Sequence, residues 1–168
     1  MVSAGTAAIW ERLDQVLDPE VPVLSVVELG IVRDVEVDAH GTVTVSVTPT
    51  YSGCPAMAVI ERDIVTALAE GGWADARVRT VYTPAWTTDW IGEDAREKLR
   101  AFGIAPPSDA AGSVTEALVP LTRRAPLVAC PYCGSRATTT RSEFGPTACK
   151  AVMFCEQCRQ PFELFKAI

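Results

Sequence analysis

The stretch Cys130-Pro131-Tyr132-Cys133-Gly134, answered by Cys155-Glu156-Gln157-Cys158 after 21 intervening residues, decides the architecture of the C-terminal part of the chain. Each Cys-x-x-Cys pair sits on a tight turn that aims two sulfurs at one spot. Two such turns facing each other close a tetrahedral four-thiolate site. Gly134 suits the positive φ that the residue after such a turn adopts. Residues 127–168 are too few to hold together by apolar burial alone. Metal bonds worth about 10–16 kcal/mol in small zinc peptides supply the difference. Cys130, Cys133, Cys155 and Cys158 are therefore the expected ligands of a structural Zn2+ in a zinc-ribbon β module. Two disulfides, or a redox pair of the thioredoxin kind, are the competing readings. A doubled pair at this spacing is much more specific than a lone one and favours the metal.

The whole chain, at 168 residues and 48% hydrophobic, has material for one full domain and a small satellite. No stretch approaches the roughly 20 apolar residues of a membrane span, and no basic region precedes an apolar run at the N-terminus. The expected compartment is the reducing cytoplasm, where paired cysteines serve as metal ligands more often than as disulfides. A net charge of −6 argues against sequence-independent binding of nucleic acid. Residues 1–102 carry 8 basic and 16 acidic groups, and residues 127–168 carry 5 and 3. Four thiolates around a divalent ion would cancel that small excess, so the ribbon is no basic finger either.

Outward from the ribbon, residues 103–126 shift to Ala, Pro, Ser and Gly around Pro106-Pro107 and read as a linker, with a short helix around Val114–Leu118. Residues 1–102 read as an α+β domain in the order α-β-β-α-β-α, helices packed on a small mixed sheet. Thr6 can cap a first helix whose Ile9, Leu13, Val16 and Leu17 share a face, ended by Asp18-Pro19. Val35 and Val37, then Val43, Val45 and Val47, alternate with polar residues about Ala39-His40-Gly41, which predicts a hairpin with one buried face. Pro55 fits the first position of a second helix with the stripe Ile60, Ile64, Leu68, stopped by Gly71-Gly72. Ala76–Tyr82 reads as a third strand, and a last helix ends near Phe102. An edge strand of so small a sheet could pair across a homodimer.

Cys54 stands out beyond the tail. At a helix N-terminus, N–H groups and the dipole would lower its pKa and make it a nucleophile or a soft-metal ligand. A small buried residue filling a turn is the plainer reading, and the two stand level. Asp18 and Glu20 could form a carboxylate pair at the same pole, although a turn capped by Asp18 beside a solvated Glu20 explains them as well. Trp86 and Trp90 suit packing. His40, the one histidine, lies at a hairpin tip, so Cys-His or Ser-His-Asp catalysis has little support. Cys149 is either a spare fifth thiol or a strand residue packed on the ribbon.

Asp18-Pro19-Glu20 after the first helix, Leu29-Gly30 before the hairpin, and Cys54-Pro55 in the loop after it resemble the metal–sulfur cluster assembly factor (SufT-like) domain. The strings from Thr48 to Ala56, Trp86 to Ile91, Phe102 to Pro107, CPYCGS, FGPTACKA and CEQCRQPFELFKAI extend the likeness over nearly the whole chain. They resemble the PaaD (PaaJ) family of phenylacetyl-CoA epoxidase subunits. One departure is Pro146, where that family leads us to expect serine; it bears on local loop geometry. The resemblance implies an accessory, non-catalytic role in aerobic phenylacetate breakdown. The partners implied are a diiron oxygenase subunit and a reductase with flavin and a [2Fe–2S] cluster. It further implies that Cys54, with Asp18 and Glu20 as neighbours, handles iron or a transient iron–sulfur cluster, to which soft thiolate is suited. Redox-active iron in the four-cysteine tail, as in an electron-transfer component, is the alternative.

Overall fold

A computed structural model of the chain describes residues 6–51, 53–107 and 128–166. They fall into two compact units that divide between Ala95 and Arg96. The fold class is the α+β arrangement expected.

In the first unit, α1 (Ala7–Leu13) is followed by an antiparallel hairpin of β1 (Val32–Val37) and β2 (Val43–Val47). Next come α2 (Met57–Glu70) and β3 (Arg77–Thr80), which pairs parallel to β2. The sheet order β1-β2-β3 is therefore mixed, with β2 in the centre. Val43, Val45 and Val47 are all buried, as the alternation requires. Ile60, Ile64 and Leu68 form the buried stripe of α2, and each such side chain contributes about 1.5–3 kcal/mol on burial. Two polar ties hold α2 in place. Thr80 Oγ1 donates to Glu61 Oε1 at 2.7 Å. Arg12 Nε donates to the Ala67 carbonyl at 2.8 Å, while its guanidinium pairs with Glu70 at 2.6 Å. A cation on the last carbonyls of a helix also answers the negative end of its dipole.

The N-terminal helix is shorter than its periodicity predicts. It ends at Leu13, and Leu17 is half exposed. From there the backbone turns to a local pairing: Val26 N–H donates to Val16 O at 2.9 Å, and Asp18 N–H to Leu24 O at 3.0 Å. Those bonds take the place of another helical turn. Thr6 makes no side-chain cap. The second helix begins at Met57, two residues beyond Pro55, which lies in the preceding turn.

Gly30 fixes how the aromatic loop packs. Its φ is +68°, and a Cβ there would lie 2.9 Å from the Trp90 Cβ. Trp86, buried, donates from Nε1 to the Leu29 carbonyl at 2.9 Å. Arg33 stacks on Trp90, 3.4 Å from the ring centroid. Both tryptophans are packing residues.

The helix α3 (Glu93–Phe102) crosses the division between the units. The second unit is a four-stranded sheet in the order β4-β7-β6-β5, from β4 (Ile104–Ala105), β5 (Thr138–Ser142), β6 (Lys150–Cys155) and β7 (Pro161–Phe165). The expected linker thus opens with two residues that are strand: Ile104 and Ala105 pair parallel to Glu163 and Leu164. Both are buried, and Ala105 joins Val128, Ala151, Met153, Phe162 and Leu164 in the ribbon core. Two apolar residues between glycine and prolines carry no periodic signal, so the sequence hides them. The helix expected around Val114–Leu118 lies outside the described residues. Cys149 shares the inward parity of Ala151, Met153 and Cys155 along β6 and is buried. At about 3.3 Å per residue it is roughly 20 Å from Cys155. It is a buried residue of the turn that leads into β6, where a strand residue was expected, and it is not part of the converging ligand set of the tail.

Replacing Gly30 by alanine combines a left-handed backbone with that steric conflict. We expect Gly30→Ala to cost about 1–3 kcal/mol in urea unfolding followed by tryptophan fluorescence. An unchanged midpoint would show that the close approach to Trp90 is not required.

Candidate functional site

Asp18 is buried, and a buried carboxylate needs hydrogen-bond donors. Its Oδ1 accepts from the N–H groups of Glu20 and Val21, both at 2.8 Å. Pro19 presets the turn between them. A second local clamp follows: Ser25 N–H donates to Glu28 Oε2 at 3.0 Å, and Glu28 N–H to Ser25 Oγ at 3.0 Å. Ser25 Oγ also donates to Asp14 at 2.5 Å. The signal that could have found this reciprocal box is the Ser25-x-x-Glu28 spacing, which the patterning of apolar residues overshadows. Together the two clamps brace the segment from Asp14 to Glu28 with local hydrogen bonds.

Cys54 lies in the loop between β2 and α2, where its N–H donates to the Tyr51 carbonyl at 3.0 Å. The side chain is half-buried, while Tyr51, Gly53 and Pro55 around it are exposed. Its thiol is pushed above the ordinary cysteine value. Burial is the largest cause, followed on the same side by the negative charges of Glu20 and Asp18; the N–H groups of Ala56 and Met57 pull the other way. The three residues that the resemblance groups are thus near enough to act on one another electrostatically. The expectation that the helix terminus lowers the pKa is overturned, because burial and two carboxylates outweigh two N–H donors. Asp18 does cap the turn, as its plainer reading has it, and it also bears on Cys54. Glu20 is half-buried rather than fully solvated.

His40 is exposed at the hairpin tip, beyond the Val37–Val43 pair. Cys54 follows the opposite end of the hairpin, where Val32 pairs with Val47. No general base stands beside the thiol from that source.

In the second unit the four tail sulfurs converge. Their ligand atoms all lie within 4.8 Å of one another, with Cys130···Cys158 and Cys133···Cys155 at 3.6 Å. Those separations are far from a disulfide, at about 2.05 Å. They suit a tetrahedral ion, for which a metal–sulfur length of about 2.3 Å puts sulfurs about 3.8 Å apart. The turns also aim backbone donors at the cage: Cys158 and Gln157 N–H at the Cys155 sulfur, and Gln160 N–H at Cys158. These hydrogen bonds, that from Cys158 first, lower Cys155 to about 7, whereas burial first of all pushes Cys158 up to about 12. A divalent ion held by Cys130, Cys133, Cys155 and Cys158 would favour the thiolate form of all four. After the second pair, Arg159 takes φ 61°, matching Gly134 at φ 71° after the first. The knuckle geometry is thus kept without glycine. Among the described residues, these four cysteines are the one set of three or more His, Cys, Asp or Glu ligand atoms that converge on a point.

Comparison with known proteins agrees with this division. Residues 6–81 match the family described as iron-sulfur cluster assembly protein, and residues 115–166 match the PaaD zinc beta ribbon domain. The chain is 38% identical to the Fe-S protein maturation auxiliary factor YitW of Bacillus subtilis (strain 168), over 54% of this chain and 89% of that one. A crystal structure of a domain of unknown function, DUF59, from Bacillus anthracis superposes with a TM-score of 0.51 at 28% identity. It covers 54% of this chain and 87% of its own. The class is therefore an iron–sulfur cluster assembly domain joined to a four-cysteine β-ribbon. A relative matching nearly end to end is an Escherichia coli (strain K12) protein provisionally named as a subunit of 1,2-phenylacetyl-CoA epoxidase. It is 48% identical over 95% of this chain and 92% of its own. The chain belongs to the PaaD family.

The Cys54 environment has a pH signature. A thiol whose pKa is raised by folding contributes stability that is complete below its unfolded value. That contribution is lost as pH rises through the folded value. We expect iodoacetamide alkylation of native Cys54 to show a midpoint above the ordinary value of about 8.5. Glu20→Gln should move that midpoint down by removing a negative charge. A midpoint that ignores Glu20→Gln would contradict the proximity of the two side chains.

Proposed function

We propose that this chain is an accessory maturation factor of a phenylacetyl-CoA epoxidase system. In this reading the Cys54 pole, flanked by Asp18 and Glu20, handles iron or an iron–sulfur cluster in transit to the oxygenase or reductase subunit. The observation that carries it is a half-exposed thiol under the influence of two carboxylates, in a domain of the iron–sulfur cluster assembly type. The name of the Escherichia coli relative supports the epoxidase setting, and the name of the Bacillus subtilis relative supports the maturation role. No helix among the described residues is long and apolar enough to cross a membrane, which is compatible with work on cytoplasmic partners.

The tail cysteines Cys130, Cys133, Cys155 and Cys158 hold Zn2+ in this reading, and the ribbon serves as a docking module. The ribbon core is small, and Cys130 and Cys155 are themselves part of it. Zinc would supply charge neutralisation and a crosslink there, and the four thiolates would supply its whole coordination shell.

The transfer role is tested by Cys54→Ser. The variant should fold normally yet lower the iron or cluster occupancy of the co-produced epoxidase subunits several-fold, read by iron and acid-labile sulfide analysis. Full occupancy of those subunits would refute a transfer role for Cys54. For the tail, Cys133→Ser or a strong chelator should remove the bound zinc and abolish amide-exchange protection in β6 and β7. Protected strands in the metal-free protein would refute the structural role. Bound iron without sulfide, with a visible band indifferent to Cys54→Ser, would instead mark the tail as an electron-transfer centre.

A further inference from the structure

We infer that Tyr132, between the two cysteines of the first knuckle, is a clasp that ties the end of α3 and β4 to the metal cage. Residues 96–105 then form a strap whose order follows the metal. The strap rests on the proposed reading of the four tail cysteines as a zinc site. It extends that site's reach to a segment that belongs to the second unit but precedes the residues matching the ribbon family.

The clasp is a close approach. Gly103 is buried and ends α3: its N–H donates to the Arg100 carbonyl at 3.0 Å, and its φ is +89°. A Cβ on Gly103 would lie 2.7 Å from Tyr132 Oη and 3.1 Å from Tyr132 Cε1. Glycine alone suits both the left-handed turn and this contact. Tyr132 is otherwise 57% exposed, so it is no core side chain, and the knuckle sets its position instead. Cys130 N–H donates to the Ser135 carbonyl at 2.9 Å and Gly134 N–H to the Cys130 carbonyl at 2.8 Å, closing the turn around it. The sulfurs of Cys130 and Cys133, which flank Pro131 and Tyr132, converge in the cage. One ion bound to both would leave the residues between them little freedom.

Beyond Gly103 the chain runs straight into the ribbon sheet. Ile104 and Ala105 pair parallel with Glu163 and Leu164, and Ala105 shares a core with Cys130 and Cys155. Arg96 Nη1 donates to the Pro107 carbonyl at 2.8 Å, which ties the far end of the strand back to the helix. Neither element is strong alone. The ten residues of α3 fall below the roughly 12–15 that an isolated helix needs. A two-residue strand is far shorter than the usual five or six or so. The strap therefore takes its order from the sheet and the knuckle, and in the zinc reading both depend on the cage. With the cage filled, Tyr132 seats on Gly103 and β4 covers the outer edge of β7. Emptying it releases the clasp, opens that edge and frees the last turns of α3.

Hydrogen–deuterium exchange of the zinc-loaded full chain, read by mass spectrometry, tests the strap. Removing zinc with a chelator should speed exchange at residues 98–105 about ten-fold or more, in step with β6 and β7. Tyr132→Ala should keep its zinc and the protection of β6 and β7, yet speed exchange at residues 98–105 about five-fold or more. Tyr132→Phe keeps the ring on Gly103 and should behave as the wild type. Residues 98–105 that stay protected while zinc removal opens β6 and β7 would overturn the strap and leave the zinc reading standing. Unchanged exchange there in Tyr132→Ala, or a Tyr132→Phe variant as fast as Tyr132→Ala, would overturn the clasp. So would loss of zinc in Tyr132→Ala, which would make the tyrosine part of the cage. Strands β6 and β7 that stay protected without zinc would overturn the zinc reading, and the strap with it.

Discussion

Four sulfurs held within 4.8 Å of one another are a chemical demand before they are a fold. Uncharged thiols have little reason to crowd at 3.6 Å, and four thiolates without a cation would repel. The second unit is arranged around that demand. The β6–β7 pairing brings the second knuckle home, and knuckle N–H groups point at the sulfurs. Cys130 and Cys155 double as core side chains beside Met153 and Phe162. A core of so few residues does little to offset the ordering of its own backbone, and a metal bound by the four sulfurs, as proposed above, would add the missing crosslink. The strand at Ile104–Ala105 widens that core by one edge.

The first unit solves a different problem, which is how to bring carboxylates near a half-buried thiol. Asp18 answers its own burial locally, through Glu20 and Val21 N–H. The Ser25–Glu28 box and the Gly30–Trp90 approach then hold the segment behind it. Cys54 is positioned independently by the loop between β2 and α2. Two separately braced segments meet there, so the electrostatic coupling of Cys54 to Glu20 and Asp18 is a property of the tertiary fold. A thiol raised in this way is a reluctant thiolate at neutral pH, and in the reading proposed above a cluster or an iron ion would draw it out by binding.

Much of this was legible in the amino-acid order. The doubled Cys-x-x-Cys spacing determined the four-sulfur site, because covalent turn geometry leaves little choice once two such turns face each other. Valine alternation determined the hairpin, and the 60-64-68 stripe determined the buried face of α2, because period follows from backbone geometry. The strings shared with the PaaD family carried the domain pairing. Only the tertiary structure decided the rest. It stopped the first helix at Leu13, since the pairing of residues 16–18 with 24–26 is made by residues distant from any local signal. It recruited Ile104 and Ala105 as a strand, since parallel pairing to β7 depends on a partner about 60 residues away. It also set the direction of the Cys54 shift. Sequence offered a helix N-terminus and hence a lower pKa, while the folded chain added burial and two carboxylates from another segment, and those outweigh it. Burial and charge add up over everything near in space, and nearness in space is the one thing that spacing along a chain does not contain.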